Sequence, residues 1–335
     1  MTLGWAMVGT GWHLRDRAAP AARRAAGTRL AAVCSRDLAR AEEYLRTFGF
    51  EQAYDTYADV LADNNVDVVY LATPNYLHAE QTIQAAQAGK HVLVEKPMAL
   101  SVAEAQAMLK ACQAGGVKLG IGFHLRHHPA HREVRHLLAT GQVGQPQLVQ
   151  LQWVRANPRR EGWWQDPAQV GAYITMARGV HLLDLLCYLT SRSPRQVVAM
   201  TDGQRQDRPL EETALALVRF DGDLFGSLVA SRTFAEVDNS LAIYGSAGSL
   251  RTTATVGTDA IGVLELTTGT ESRRVTYRDR DPYQAEIEAF NRSVVEDIEP
   301  DASGRDGLRS VEFTEALLES ARTGRAVDMS ESRPE

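Results

Sequence analysis

LGWAMVGTGW, residues 3–12, passes directly from a short apolar run into a turn built on Gly9 and Gly11. A short apolar run that stops at a turn is typical of a strand. The segment that follows, WHLRDRAAPAARRAAG (12–27), is rich in alanine and arginine and ends at Gly27, as helices often do. The stretch therefore predicts a strand, a tight turn and a helix in direct succession.

The same order of elements repeats along the first third of the chain. Further strands are predicted for RLAAVCS (29–35), VDVVYLATP (66–74), KHVLVEKP (90–97) and VKLGIGF (117–123). Helices are predicted for DLARAEEYLRTFG (37–49), HAEQTIQAAQAG (78–89) and SVAEAQAMLKACQAGG (101–116), the last with a capping box at Ser101 and Glu104. Strands that alternate with helices predict an α/β fold with an open, doubly wound parallel sheet.

The chain has 335 residues, a length that favours two domains. Beyond residue 123 the pattern becomes alternating and β-rich, with strands predicted within 147–156, 195–203, 213–234, 239–253 and 262–269. Helices are predicted for 180–189, 283–298 and 307–323, followed by the polar tail SESRPE (330–335). We therefore predict a first domain over residues 1–123 and a second over residues 124–335.

Composition narrows the class of protein. The chain carries 36 Lys and Arg against 42 Asp and Glu, a net charge of −6, which provides no electrostatic footprint for nucleic acid. Cys34, Cys112 and Cys187 lie far apart with no CxxC spacing, so we expect buried thiols and neither a disulfide framework nor a zinc site. No signal peptide and no apolar run near ~20 residues is seen. These features predict a soluble cytoplasmic protein without metal, membrane or nucleic-acid partners.

The glycine turn is the first candidate site, because ligands of open parallel sheets bind at the carboxyl ends of the strands. Gly9 and Gly11 stand between a strand and a helix, the context that a dinucleotide fingerprint requires. The glycines allow the backbone to approach a pyrophosphate at the helix N-terminus. The predicted cofactor contacts here are Gly9, Thr10, Gly11, Trp12 and His13. Leu14 replaces the third glycine, so we expect the helix to lie slightly farther from the sheet.

The end of the second predicted strand bears on cofactor choice. Proteins of this fold that prefer NAD usually have a carboxylate at this position, which binds the ribose 2′-hydroxyl. Ser35 and Arg36 occupy this position, with Arg40 one turn along the next helix, and a hydroxyl with guanidinium groups favours a 2′-phosphate. We therefore predict NADP. NAD remains an alternative cofactor, because Asp37 could bind the ribose 2′-hydroxyl. Another alternative is that Arg36 and Arg40 are solvated charges of the helix with no role in cofactor binding.

Two further strand ends carry the predicted chemistry. ATPNYLH (72–78) provides Thr73, Pro74, Asn75 and His78, and VEKP (94–97) provides Glu95, Lys96 and Pro97. A lysine beside the nicotinamide could exchange the proton of a hydroxyl whose carbon loses hydride. An ordinary lysine, with a pKa of about 10.4, is too basic for this near neutral pH, but a cationic ring and partial burial would both lower it. A surface ion pair of Glu95 and Lys96 is the alternative.

These motifs resemble the Gfo/Idh/MocA family of NAD(P)-dependent oxidoreductases, which act mostly on sugars, inositols and related polyols. The resemblance rests on GTGW (9–12), AVCSRD (32–37), ATPNYLH (72–78), AGKHVLVEKPMAL (88–100), RHHP (126–129), YQAEIEAFNRSV (283–294) and LLESARTGRAV (317–327). It implies a Rossmann domain followed by an α+β domain with a large open, mainly antiparallel sheet. It further implies a homodimer or homotetramer through that sheet, and late helices that return to the first domain.

The resemblance also implies individual roles. Lys96 matches the catalytic lysine of the family, Glu95 would help hold the ribose end of the cofactor, and Pro97 would fix the turn. Thr73, Asn75 and His78 would line the nicotinamide-ribose side, and Arg126 would lie near the substrate.

ITMARGVHLLDLL (174–186) matches the family pattern Asp-x-Gly-x-His-x-x-Asp only in part. His181 matches the catalytic histidine and Asp184 the later aspartate, but Ala177 replaces the first aspartate, and Gly171-Ala172-Tyr173 alters the preceding turn. His181, Asp184 and Tyr188 share one helix face, which should meet either water or a cleft. His181 as a core histidine stays the alternative. With no carboxylate at 177, Asp184 would partner His181, or Lys96 would carry the proton alone.

RANPRREGWWQDP (155–167) concentrates Arg155, Arg159, Arg160, Trp163 and Trp164. Tryptophan faces stack on sugar rings, and arginines bind hydroxyls or carboxylates. A solvated loop over a packed tryptophan is the alternative. The predicted substrate contacts are Lys96, Arg126, Trp163, Trp164, Arg178, His181 and Asp184, with His124 nearby, for a carbohydrate that includes acidic or nucleotide-linked sugars.

The sequence thus favours an NAD(P)-dependent dehydrogenase or reductase that acts on CH–OH groups of a sugar, inositol or keto-sugar. A non-catalytic NADP-binding sensor on the same fold is the rival, since Ala177 departs from the catalytic pattern. Reduction of a non-sugar carbonyl or imine remains a third hypothesis.

Overall fold

The structure, a computed structural model, describes residues 1–158, 161–202, 210–235, 238–278 and 281–329. The chain divides into two compact units. Unit 1 contains Met1–His124 and Tyr283–Arg309, and unit 2 contains Leu125–Pro282 and the residues from Ser310.

Unit 1 is built on a parallel sheet of six strands in the order β3-β2-β1-β4-β5-β6. The strands are β1 (Leu3–Val8), β2 (Thr28–Cys34), β3 (Gln52–Tyr54), β4 (Val68–Leu71), β5 (His91–Val94) and β6 (Leu119–Ile121). All its strand pairs are parallel. The order reverses between β1 and β4, as in doubly wound sheets. The predicted α/β fold of this half is confirmed.

The helices of unit 1 end where the sequence places glycines and caps. They are α1 (Ala19–Arg24), α2 (Leu38–Phe48), α3 (Tyr57–Ala62), α4 (His78–Gln87) and α5 (Val102–Gly115). Gly49 ends α2 with a positive φ of 82°, a conformation that glycine adopts without steric cost. The predicted capping box of Ser101 and Glu104 begins α5.

The helix after the glycine turn departs from regular α geometry. Residues Leu14–Ala18 form a π-helical segment directly before α1. Leu14, at the position of the missing third glycine, is fully buried in the core of unit 1. The wider π turn, which is often found at functional sites, accommodates this side chain between helix and sheet.

Unit 2 is built on a mixed sheet of nine strands in the order β14-β13-β12-β11-β7-β10-β9-β8-β15. They are β7 (Pro146–Val154), β8 (Pro194–Thr201), β9 (Thr213–Phe220), β10 (Phe225–Ser231), β11 (Ser240–Gly245), β12 (Gly248–Thr253), β13 (Gly262–Thr268), β14 (Glu271–Tyr277) and β15 (Val327–Asp328). β7 and β10 are parallel, and the other neighbours are antiparallel. The predicted mainly antiparallel sheet is confirmed.

The helices beyond residue 124 are α6 (Pro129–Ala139), α7 (Pro167–Val170), α8 (Val180–Thr190), α9 (Pro282–Val295) and α10 (Gly304–Thr323). The leucines of α8 fill the core of unit 2 and pack against the strands. By length and composition, Pro167–Thr190 could cross a membrane, which contradicts the expectation that no such run exists. However, 89% of its apolar window is buried within the protein. The apolar character of this segment is therefore explained by a core position.

Six elements are absent from the sequence predictions: β3, α3, α6, α7, β14 and β15. β14 is mostly exposed and carries Arg273 and Arg274, as edge strands often do, so its sequence shows little apolar alternation. β3 and β15 have three and two residues, too few for a periodic signal. The three cysteines are buried and free, as predicted.

Candidate functional site

The strands of unit 1 end at one level, which brings the residues after them together. Val8 pairs with Cys34 on one side and with Leu71 on the other, and Leu71 pairs with Val94. The next residues along each strand are Gly9, Ser35, Ala72 and Glu95. The predicted candidates at these four strand ends therefore form one row along the carboxyl edge of the sheet.

The glycine turn fits a dinucleotide. Gly9 has a φ of 100°, and a Cβ atom there would lie 2.7 Å from the carbonyl oxygen of Ala72, so the turn requires glycine. A Cβ atom on Gly11 would meet nothing within 4 Å. The backbone at Gly11 thus borders open space at the start of a helix, where a pyrophosphate can approach the amide groups.

The end of β2 is linked to this turn. The Thr10 hydroxyl donates to Ser35 Oγ over 2.8 Å, so the glycine turn and the end of β2 are in direct contact. Asp37 caps α2 by accepting a hydrogen bond from the backbone N–H of Arg40. This bond occupies one oxygen of the Asp37 carboxylate. Arg36 and Arg40 are exposed.

Glu95 lies in a buried cluster with His13 and Tyr70. Its Oε1 lies 2.8 Å from His13 Nε2 and accepts a hydrogen bond of 2.6 Å from the Tyr70 hydroxyl. Burial alone would raise the pKa of Glu95, but the charge and hydrogen bond of His13, together with Lys96 and Tyr70, lower it to about 2. Glu95 is therefore an ionised, buried carboxylate. The alternative of a surface pair between Glu95 and Lys96 is wrong, because Glu95 is only 8% exposed.

Tyr70 is a functional candidate that the sequence reasoning missed. Burial, followed by the charge of Glu95, raises the pKa of Tyr70 well above its ordinary value, so the phenol stays a donor. Gly122 was missed as well: a Cβ atom there would lie 2.8 Å from Glu95 Oε1. The signal available in the sequence was a tyrosine, with its polar hydroxyl, inside the apolar run VDVVYLATP (66–74).

His78 connects two turns of the site. Its Nδ1 lies 2.8 Å from the carbonyl oxygen of Pro97, and its Nε2 lies 3.0 Å from that of Thr73. The ring is fully buried, and burial lowers its pKa. Because both nitrogens face backbone carbonyls, His78 holds the turns after β4 and β5 in place, and its predicted position on the nicotinamide-ribose side stays a prediction.

The other predicted cofactor contacts differ in how far their side chains are exposed. Pro97 is buried and follows Lys96, which is half-buried, through a cis peptide bond. The Thr73 hydroxyl donates to Gln81 Oε1 over 2.6 Å, and Asn75 is 5% exposed at the start of a short helical turn after Pro74. Trp12 is 41% exposed. Lys96 is thus a partly exposed polar side chain at the carboxyl edge of the sheet, next to the buried Glu95.

In unit 2, His181 lies in the first turn of α8 and is 2% exposed. Its ring packs on Trp153, with centroids 5.2 Å apart and a tilt of 41°. The expectation that this helix face might meet water is therefore wrong for His181 and for Asp184, which is 4% exposed.

Asp184 binds Arg126 with both carboxylate oxygens. Arg126 Nε donates to Oδ2 over 2.8 Å, and Nη2 donates to Oδ1 over 2.5 Å. The side chains are 5% and 1% exposed. Arg126 and Asp184 neutralise each other inside unit 2, and their predicted contact with substrate stays a prediction. The same pairing argues against Asp184 as the partner that replaces the carboxylate missing at Ala177.

The guanidinium of Arg178 also binds groups of the protein itself. Its Nη1 donates to the carbonyl oxygens of Ser231 and Arg155, the second over 3.2 Å, and its guanidinium lies 5.9 Å from the centroid of Trp153. These contacts hold the backbone at Arg155 and Ser231, and the substrate role predicted for Arg178 stays a prediction. Arg155 is exposed, and Arg159 and Arg160 lie outside the described residues.

Trp163 and Trp164 stack on each other with centroids 4.2 Å apart. Trp164 meets the edge of Tyr173, and both tryptophans pack against a small cluster of Val170, Tyr173 and Leu210. They are half-buried, so part of each ring remains exposed. His124, the last residue of its segment of unit 1, stacks on Tyr283 at 4.5 Å. Within the described ranges, no group of three or more His, Cys, Asp or Glu residues is arranged to hold a metal ion.

Comparison with known proteins identifies the family of both halves of the chain. Residues 3–123 match the model of an oxidoreductase family with an NAD-binding Rossmann fold, and residues 131–251 match the GFO/IDH/MocA C-terminal domain. The chain is similar to a 1,5-anhydro-D-fructose reductase of Ensifer adhaerens, with 27% identity over 97% of this chain and 98% of that protein. It is 29% identical to an NADP⁺-dependent D-xylose 1-dehydrogenase of Haloferax volcanii, over 89% and 91% of the two chains.

A solved structure shows the same fold. The aldose-aldose oxidoreductase from Caulobacter crescentus, crystallised with glycerol, is 26% identical and superimposes with a TM-score of 0.91. The match covers 98% of this chain and all of that one.

Proposed function

Because the chain belongs to the Gfo/Idh/MocA family of NAD(P)-dependent oxidoreductases, we propose that it transfers hydride between a nicotinamide and a CH–OH group of a sugar or related polyol. The observation that carries this proposal is the row of strand ends in unit 1. There the open backbone at Gly11 fits a pyrophosphate, and half-buried Lys96 follows the ionised Glu95.

The protein's own groups supply binding and proton transfer, while a bound nicotinamide supplies the hydride chemistry. The glycine turn binds the pyrophosphate, and Ser35, Arg36 and Arg40 bind the adenosine ribose and its 2′-phosphate. Lys96 takes the hydroxyl proton during oxidation, or donates a proton to the carbonyl oxygen during reduction. In unit 2, His181 is the candidate for a second acid–base group.

The proposal is tested with purified protein, NADP⁺ or NAD⁺ and a panel of sugars and polyols, by following nicotinamide absorbance. D-xylose is the first substrate for the oxidative direction, and 1,5-anhydro-D-fructose with NADPH is the first for reduction. We expect turnover with at least one member of the panel. Cofactor binding without turnover in either direction would favour the rival, a non-catalytic NADP-binding sensor.

Within this function we propose an uncharged sugar as substrate. The guanidinium groups of Arg126 and Arg178 are occupied by Asp184 and by backbone carbonyls, so neither is offered to a substrate carboxylate or phosphate. The similar enzymes are named for uncharged sugars. Comparison of a hexose with the corresponding uronic acid tests this, and a preference for the acid would contradict it.

We also propose that the exposed face of the nine-stranded sheet pairs with a second copy of the chain. Val198 lies opposite Leu217 and Met200 opposite Leu215, and all four point away from the core. Met200 is 76% exposed and Leu217 64% exposed, and contiguous apolar patches of this kind mark interfaces. Light scattering should show a homodimer or homotetramer, and Leu217→Glu should shift it toward monomer.

We place the protein in the cytoplasm. Its three buried cysteines are free, which fits a reducing compartment, and its cofactor is nicotinamide-based. Cell fractionation with an antibody tests this, and recovery from an extracytoplasmic fraction would contradict it.

A further inference from the structure

We propose that Tyr44 is a positioning residue of the cofactor site, whose hydroxyl holds the carbonyl groups of Thr10 and Gly11 so that the amides of the glycine turn face the phosphates. This inference rests on the proposed function. It assigns a role to a side chain of α2, which lies outside both the glycine turn and the strand ends.

The contacts of the hydroxyl are well defined. Tyr44 Oη lies 3.1 Å from the carbonyl oxygen of Thr10 and 3.2 Å from that of Gly11. The side chain is 4% exposed, and its contact with Thr10 is buried. A phenol has one hydrogen, so donation is shared between the two carbonyl groups. The Gly11 carbonyl also accepts a hydrogen bond of 3.1 Å from the backbone N–H of Arg15, so Tyr44 is a second donor there. Leaving the buried Thr10 carbonyl without the Tyr44 donor is costly, and the hydroxyl therefore influences the direction in which the peptide unit between Thr10 and Gly11 points.

The peptide geometry links this contact to ligand binding. In a planar trans peptide unit, the C=O and N–H groups point in opposite directions. The carbonyl of Thr10 shares a unit with the N–H of Gly11, and the carbonyl of Gly11 shares one with the N–H of Trp12. Carbonyls directed at Tyr44 therefore turn both N–H groups away from α2. The space beside Gly11 on the surface of the turn is open, as an approaching phosphate requires.

The pKa of the Tyr44 phenol keeps its hydroxyl available as a hydrogen-bond donor. Burial raises its pKa, and the charge of Arg40 together with a hydrogen bond to Arg40 opposes that rise without reversing it. The phenol consequently stays protonated near neutral pH. Tyr44 lies one turn along α2 from Arg40, which we assign to the 2′-phosphate, so one helix serves both phosphate positions.

Tyr44→Phe removes the hydroxyl and keeps the ring. We expect the Kd values of NADPH and NADH, from fluorescence titration, to rise together by about tenfold, equivalent to about 1.4 kcal/mol. The ratio of the two Kd values and the kcat at saturating cofactor should change little. Arg36→Gln, at an exposed residue also assigned to the 2′-phosphate, should instead weaken NADPH alone. Phe48→Leu is the matched control: its ring lies 5.5 Å from that of Tyr44 on the same helix, and its loss should leave both Kd values unchanged.

The outcomes separate this inference from the proposed function. If wild-type protein binds NADPH or NADH and Tyr44→Phe binds equally well, the inference is overturned and the function stands. If Tyr44→Phe and Phe48→Leu weaken binding to the same degree and melt at similarly lowered temperatures, helix packing is responsible and the inference is again overturned. Wild-type protein that binds neither dinucleotide overturns the proposed function itself.

Discussion

Asp184 binds Arg126 through two parallel hydrogen bonds of 2.8 Å and 2.5 Å, and both side chains are buried in unit 2. Arg126 also lies 5.2 Å from the ring centroid of Tyr188, one turn beyond Asp184 on α8. The pair therefore fastens the segment before α6 to the core helix of this unit. Both residues were predicted as substrate contacts, and this pairing gives each a structural role as well.

Removing one member of this pair should be more harmful than removing both. We expect Asp184→Asn to lower the free energy of unfolding by about 3–5 kcal/mol, because it leaves a buried charge without compensation. The double variant Arg126→Met with Asp184→Leu should recover most of that loss. Urea unfolding measures both. An unchanged stability of Asp184→Asn with a raised KM would return the pair to the substrate site.

Lys96→Ala should reduce kcat by about 10²–10⁴-fold, the contribution of a positioned proton-transfer group. Cofactor binding should be mostly retained, because the glycine turn and the end of β2 are untouched. Steady-state kinetics and NADPH titration make the comparison, with the exposed Lys110→Ala as control. A near-normal kcat would show that Lys96 is only structural.

His181→Ala should lower kcat/KM by at least ~10²-fold if the ring is an acid–base group. A loss below about tenfold, or 1.4 kcal/mol, would make it a core histidine packed on Trp153. Ala177→Asp is the companion variant, since it restores the carboxylate of the family pattern. Gain of activity on ordinary polyols would show that the residue at 177 narrows the chemistry.

NADP(H) should bind more tightly than NAD(H), because Asp37 caps α2 while Arg36 and Arg40 are exposed beside Ser35. Arg36→Ala should remove most of this preference with little effect on NAD(H). Parallel titrations of the two cofactors are the measurement. Equal affinities in the wild type would disprove the preference.

The pKa of about 2 for Glu95 predicts a pH-dependent stability. A carboxylate with a depressed folded-state pKa stabilises the protein above its unfolded pKa, about 4.5, and this contribution is lost as pH falls through the folded value. The difference corresponds to about 3 kcal/mol. Unfolding between about pH 5 and pH 2 should therefore show a shallower slope in Glu95→Gln than in wild type. Glu42→Gln, on the exposed face of α2, should follow the wild-type slope.

The sequence was a good guide to five strands of the parallel sheet because each is a short apolar run, and β1, β4, β5 and β6 are followed closely by a glycine or proline. It also placed the glycine turn and Lys96 correctly at the carboxyl edge, since parallel strands share that edge. The partners of buried charges were not predictable. Arg126 and Asp184 are 58 residues apart, and Arg178 meets the carbonyl of Ser231 across 53 residues. Residue type alone does not distinguish a ligand contact from such a long-range pair.

The hydrogen bond between Thr10 and Ser35 has a consequence for redesign. The usual way to convert such a protein to NAD is to install a carboxylate at the end of the second strand, here Ser35→Asp. In this chain the Ser35 hydroxyl accepts a hydrogen bond from the Thr10 hydroxyl, with 2.8 Å between the two oxygens. A longer, charged side chain at position 35 would therefore disturb the glycine turn that must hold the pyrophosphate. A cofactor switch would therefore need compensating change at Thr10, and libraries that vary position 35 alone should recover few active clones.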